Sequence, residues 1–314
     1  MGTKVLVYAD GDPARAARVA EQLGREIIGF RDRLAPGAMG IEQAIDAALT
    51  EPRGPVVLAD TADNSGGGAP NDSTFMLRRL LERGIDRVAL GPLWDPVAVS
   101  ICFNAGEGAR LALRIGGKIG PVSGDPLDAD VQVLRLCRSL VMTGLGGGPT
   151  GLGDSALVQV GGVQVLLTSQ RQQAMGTDMF TKMGCDLSNC RLVVVKSSQH
   201  FYASYSKVAT RVIYVDGPGT LTSDLGSLPF RKVQRPKWGI GGDDRYAYIP
   251  VSDLGVLFAA FRQGEGGGAP APPAKPGLSA LDPATGRIVW HTPAPEAPCV
   301  YASDKGKPSR CARA

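Results

Sequence analysis

The chain has 314 residues, 43% apolar and 20% charged, which gives enough material for two folded domains and excludes a disordered or fibrous protein. Its 34 basic and 30 acidic residues leave a net charge of +4 spread without a stripe, so no nucleic-acid partner is expected. No apolar run reaches the roughly 18 residues of a membrane helix, which argues against a membrane partner.

Met1-Gly-Thr-Lys4 leads directly into Val5-Leu-Val-Tyr8, without the charged and apolar regions of a signal peptide, so a cytoplasmic protein is expected. Lys4–Ala9 is predicted as the first of five buried parallel strands, the others being Pro55–Ala59, Arg87–Gly91, Leu192–Val195 and Arg211–Val215. Between them lie helical patterns. Asp12-Pro13 offers an N-cap and a first-turn proline before Ala14–Leu23, Gly40–Leu49 is amphipathic, and Ser73 is placed to cap Phe75–Arg83. The alternation predicts an α/β fold: a mostly parallel sheet with flanking helices and right-handed crossovers.

From about residue 109 to 170 the pattern changes to strands without helices, including Ala156–Val160 and Val163–Thr168 joined at Gly161-Gly162, the signature of a hairpin. This segment reads as an antiparallel β insertion. Beyond Trp238 the texture changes again, to candidate strands at Tyr246–Val251 and Val256–Phe261 and a Gly/Pro-rich loop at 264–276. Two domains are therefore expected, at 1–237 and 238–314.

In open α/β sheets ligands bind beyond the carboxyl ends of the strands. Here those ends carry Asp10-Gly-Asp12, the glycine-rich loop from Asp63 to Thr74, Trp94-Asp95, Lys196-Ser-Ser-Gln-His200 and Asp216-Gly-Pro-Gly219. Asp, Ser and Gly also end strands and cap helices for purely structural reasons. Glycines at 66, 67 and 68 allow a ligand close to the main chain. His200 is the best single candidate for acid/base or hydrogen-bonding work near neutral pH, although a lone histidine before Phe201 is often a packed core residue.

Other motifs fail on context. Gly146–Gly151 matches GxGxxG, but Pro149 lies inside it and a strand follows, and the loop at Gly66 lacks the lysine ending of a P-loop. A Ser197/Ser198, His200 and Asp216 grouping has no GxSxG elbow, and no HExxH pair or CxxC spacing supports a zinc site, so no metal ligand is assigned. Of the cysteines, Cys102 and Cys137 read as reduced core residues and Cys185 and Cys190 as flanking a turn, while Cys299 and Cys311 sit in the tail.

Four strings in order, Val57–Thr74, Gly116-Gly-Lys118 with Gly120–Gly124, Val195–Phe201 and Ile213–Gly219, resemble the carboxy-terminal domain of the MlrC metallopeptidase family over about three quarters of the chain. The resemblance implies zinc-dependent hydrolysis of small peptides such as linearised microcystin. Intact members of that family carry an amino-terminal domain with histidine- and acid-rich metal motifs ahead of the region that Lys4–Asp12 resembles. No such domain precedes it here, so zinc is not expected on this chain alone, and a separate metal-bearing domain or subunit is the implied partner. A small peptide or small-molecule ligand is then expected at Asp63, Asn64, Gly66, Gly67, Gly68, Asp72, Ser73, Lys196 and Ser198, through carboxylate or amide recognition by the loop N–H groups, with His200 as proton-transfer or hydrogen-bonding group. Two alternatives stand beside this: a non-catalytic binding module and an inactive fusion remnant. The tail, at Trp238–Asp253 and Gly277–His291, resembles one blade of a PQQ-dependent quinoprotein β-propeller, and a single blade is not expected to bind PQQ.

Overall fold

The structure, a computed structural model, describes residues 5–30, 33 and 37–233, with three further strands at 257–260, 277–281 and 288–293. The chain divides into two units, residues 36–244 and residues 1–35 with 245–314. Each is taken by itself.

The first unit is built on one eight-stranded sheet: β1 (Val56–Asp60), β2 (Val88–Trp94), β3 (Arg110–Ile115), β4 (Leu127–Thr143), β5 (Pro149–Val160), β6 (Val163–Thr168), β7 (Leu192–Lys196) and β8 (Arg211–Val215), in the order β3-β4-β5-β6-β2-β7-β1-β8. The five strands from β6 to β8 run parallel, and β3, β4 and β5 continue the sheet antiparallel. Every residue of β1 and β7 is buried. That follows from their apolar, β-branched-rich composition up to the terminal Asp60 and Lys196, because a parallel strand covered on both faces favours apolar side chains along its length, and the two buried end charges pair with each other.

The strand alternation divides the core in two. Val56 and Leu58 of β1 pack with Leu90 and Val194 under α2 (Ile41–Leu49), α3 (Phe75–Glu82) and α4 (Pro96–Ala105). Val57 and Ala59 face the other way, with Val193 and Val195, toward Phe180 of α5 (Asp178–Thr181) and Tyr205 of α6 (Tyr202–Tyr205). Asp95 caps α4 by accepting from Ala98 N at 3.0 Å, with Pro96 in the first turn.

Three expectations are corrected. Residues 5–9 form no strand, and Leu6 and Tyr8 are 59% and 70% exposed, so the Val5–Tyr8 run is apolar without a sheet neighbour to cover it. Residues 10–12 therefore end no strand. The β-hairpin at Gly161-Gly162 is real, but β6 pairs antiparallel with β5 on one edge and parallel with β2 on the other, so the insertion is continuous with the main sheet. Finally, α3 begins after Thr74 with no side-chain cap, and Ser73 serves elsewhere. The GxGxxG segment forms the tip of the β4–β5 hairpin, closed by Gly144 N to Gly148 O at 2.7 Å.

In the second unit, α1 (Pro13–Gly29) starts where Asp12 accepts from Arg15 N at 2.8 Å and runs past the predicted end at Leu23. Its tail holds a three-stranded antiparallel sheet, β9 (Leu257–Ala260), β10 (Gly277–Leu281) and β11 (Ile288–Pro293), with β10 in the middle. The predicted strand at Val256–Phe261 matches β9. The strand at 246–251, the loop at 264–276 and Cys299 and Cys311 lie outside the described residues. No helix among the described residues is long and apolar enough to cross a membrane.

Cys102 is fully buried, and burial, reinforced by Asp95, pushes its thiol up to about 11. Cys137 is half-buried. Brief alkylation of the native protein at pH 8, read by peptide mass mapping, is expected to label Cys137 and spare Cys102, since the thiolate is the reactive form. Equal labelling of the two would contradict this packing.

Candidate functional site

Because β6, β2, β7, β1 and β8 are parallel neighbours, their carboxyl ends lie along one edge of the sheet. Four of the five predicted strand ends meet there. The fifth contributor is the segment after β6, Ser169–Gln173, which sequence reasoning missed because Val163–Thr168 shows only its hairpin partner.

Under the edge lies a buried charge cluster. Lys196, 1% exposed at the end of β7, places Nζ 2.9 Å from Asp63 Oδ2, 3.1 Å from Asp60 Oδ2 and 3.1 Å from the Ser73 carbonyl oxygen, with Ser73 Oγ at 3.3 Å. Burial works against the ammonium, but the two carboxylates more than offset it and hold Lys196 above the usual lysine range. Burial raises the Asp60 carboxyl, with Lys196 pulling against it. Asp63 also accepts from Asn71 N at 2.7 Å and Ser73 N at 2.8 Å. Asp63, Ser73 and Lys196 are thus brought together, but beneath the surface, where they hold the loop in shape.

Asp72 makes a second staple. One oxygen accepts from Ser123 Oγ and the other from Lys118 N at 2.8 Å and Ile119 N at 3.1 Å. Its carbonyl accepts from Gly117 N at 2.8 Å. Gly116 sits at φ +56°, where a Cβ would lie 2.4 Å from the same carbonyl oxygen, so this crossing requires glycine. Asp95 joins in by accepting from Gly116 N at 2.9 Å and Lys118 Nζ at 2.6 Å.

The glycine loop itself is a short 3₁₀ turn, Ser65–Gly67, with Gly68 left-handed at φ 101°. Its N–H groups are already used: Gly66 N donates to Asn64 Oδ1, Gly67 N to Asn64 O and Gly68 N to Ser65 O. The expectation that these groups greet a ligand is corrected, since the turn consumes them. What the loop offers is its exposed glycine backbone. Asn64 also donates to Ser198 Oγ at 2.9 Å, tying the loop to the segment after β7.

Beside it, His200 is exposed, and its Nδ1 lies 2.8 Å from Gln173 Nε2. Gln173 is nine-tenths buried and packs so closely on Gly66 that a Cβ there would lie 2.6 Å from its amide carbon. From the same segment Arg171 donates to the Ala69 carbonyl at 2.6 Å. His200, Gln173 and Arg171 therefore border the glycine surface, and the last two carried no motif in the sequence.

The hydrolase-like grouping does not form: Ser198 is bonded to Asn64, His200 to Gln173, and Asp216 to Ser223 N at 3.0 Å. Among the described residues no three of His, Cys, Asp and Glu gather as a metal site. The buried carboxylates are engaged by lysine ammonium groups and N–H or O–H donors, so this donor set does not fit a divalent cation.

Residues 58–232 match the family described as MlrC C-terminus. Microcystinase C from a Sphingomonas species is 34% identical over 241 residues, which are 76% of this chain and 46% of that protein. A crystal structure of a candidate metallopeptidase from Mesorhizobium sp. BNC1 is similar with a TM-score of 0.65 at 26% identity, covering 76% of this chain and 48% of the other. The chain spans about half the length of each of these relatives.

Proposed function

The chain belongs to the MlrC family, and on that premise we propose that its sheet edge is the substrate-recognition face of a peptidase, holding a short linear peptide over the exposed glycine backbone at Gly66–Gly68. The carrying observation is the His200–Gln173 pair, 2.8 Å apart beside those glycines, above a buried staple that fixes the loop. With the Gln173 amide nitrogen donating to Nδ1, the ring proton sits on Nε2, leaving that atom as an outward donor to a peptide carbonyl. Asn64 and Ser198 set the height of the loop. Asp63, Asp72, Ser73 and Lys196 support it from below rather than touching the ligand.

The relatives' names point to a metal in the family. The described residues of this chain do not form a site for zinc, and no step is routed through one. In this reading the metal belongs to another domain or subunit, the relative's name points to microcystin, and its linearised form is the small peptide proposed for this edge. A binding module without turnover is the second reading, and the engaged carboxylates favour it for the chain taken alone. The chain is read as an α/β domain at 1–237 followed by a tail at 238–314 whose described strands β9, β10 and β11 are proposed to represent one blade, too small by itself to enclose PQQ. The same proposal places this work in the cytoplasm.

The test is calorimetric titration of the purified chain with a linear apolar tetrapeptide, with zinc or chelator present, alongside a cleavage assay. His200→Ala is expected to weaken binding about tenfold, the value of one lost hydrogen bond of about 1.4 kcal/mol. Its stability should stay within about 0.5 kcal/mol, because the residue is exposed. Chelator-sensitive cleavage would establish a complete enzyme, and absence of any binding would overturn the recognition reading.

A further inference from the structure

Arg171 is exposed, yet one edge of its guanidinium is fixed. Nη1 donates to the Ala69 carbonyl at 2.6 Å and reaches the Gly68 carbonyl at 3.5 Å, so the protons of that nitrogen are turned onto the glycine loop. No acceptor among the described residues meets Nε or Nη2, and no carboxylate forms an ion pair with Arg171. The rim beside it is formed by the glycines, Gln173 and His200. Two lysines of the same edge are neutralised, Lys118 by Asp95 and Lys196 by Asp60 and Asp63.

We infer that Arg171 is a carboxylate anchor: its Nε–Nη2 edge forms a bidentate pair with the carboxylate at the chain end of the bound peptide. Guanidinium is suited to this because two parallel N–H donors match the two oxygens of a carboxylate, whereas a lysine would act as a point charge. The bonds from Nη1 to the loop carbonyls hold the fork in place before the ligand arrives, reducing the ordering cost that a free surface arginine would incur. An anchor at one end and the His200 donor beside it would fix the peptide's direction across the glycines. The inference rests on the reading of this edge as a peptide-recognition face.

The experiment compares one N-acetylated linear tetrapeptide of alanine and leucine, made as the free acid and as the carboxamide, by calorimetric titration of the full chain. The acid is expected to bind at least about tenfold more tightly than the amide, and Arg171→Gln to reduce that ratio to near one. Arg171→Lys is expected to keep part of the preference. A merely structural role in bracing the loop would lower both affinities together and leave the ratio intact, and that result in Arg171→Gln would overturn the anchor. Equal binding of acid and amide by the parent chain would overturn the anchor alone. Binding of neither peptide would overturn the recognition reading as well.

Discussion

Lys196→Met is expected to destabilise the domain by about 3–5 kcal/mol, the usual effect of removing one partner from a buried ion pair. The methionine keeps most of the volume, so packing contributes little. The loss arises because Asp60 and Asp63 are left buried without a cation, and Nζ was the group 3.1 Å and 2.9 Å from their oxygens. Asp63 retains its two backbone donors, but Asp60 does not share them. Lys196→Met with Asp60→Asn is therefore expected to recover part of the loss. Urea unfolding of the two variants and the parent measures both effects. A Lys196→Met midpoint equivalent to less than about 1 kcal/mol of lost stability would contradict a fully buried cluster.

Asp72→Ala is the second large effect, expected at about 2–4 kcal/mol. The substitution removes the acceptors of Ser123 Oγ, Lys118 N and Ile119 N at once, in a place where Asp72 is 1% exposed and water has little access. It also loosens the Gly116–Gly124 crossing, which keeps its backbone bond from Gly117 N to the residue-72 carbonyl, so thermal unfolding should begin at lower temperature. Hydrogen exchange at the Lys118 and Ile119 amides should accelerate before global unfolding. Unchanged exchange at those two amides would show that the staple is not what holds them.

Strand composition foretold the parallel body well. The runs at 55–59, 87–91, 192–195 and 211–215 all became strands because continuous β-branched apolar residues have few other destinations in a soluble-type composition. The run at Val5–Tyr8 has the same texture and no strand, which shows that a short apolar segment does not disclose its neighbour. The same limit hid β6. Its hairpin with β5 is written locally in Gly161-Gly162, but its pairing with β2 joins residues far apart in the chain.

At the rim, the sequence signalled polar residues but not their depth. Asp63, Asp72 and Lys196 looked like ligand groups because charged residues at strand ends usually face water. An exposure of only 1% for each turned them into supports. Gln173 and Arg171 have no motif at all, and they became visible only once β6 brought its following loop to the glycine surface. No alternation or spacing rule would have selected an exposed arginine in a loop.

The central claim is a division of labour: buried carboxylates hold the glycine loop, while the exposed His200 side binds. Measuring tetrapeptide affinity and unfolding stability together in Asp72→Ala and His200→Ala tests this most directly, with affinities taken at a temperature where both variants are folded. The account predicts that Asp72→Ala loses stability while its folded form keeps affinity within about threefold, and that His200→Ala loses about tenfold in affinity with stability unchanged. An Asp72→Ala protein as stable as the parent but unable to bind, beside a His200→Ala protein that binds normally, would contradict it.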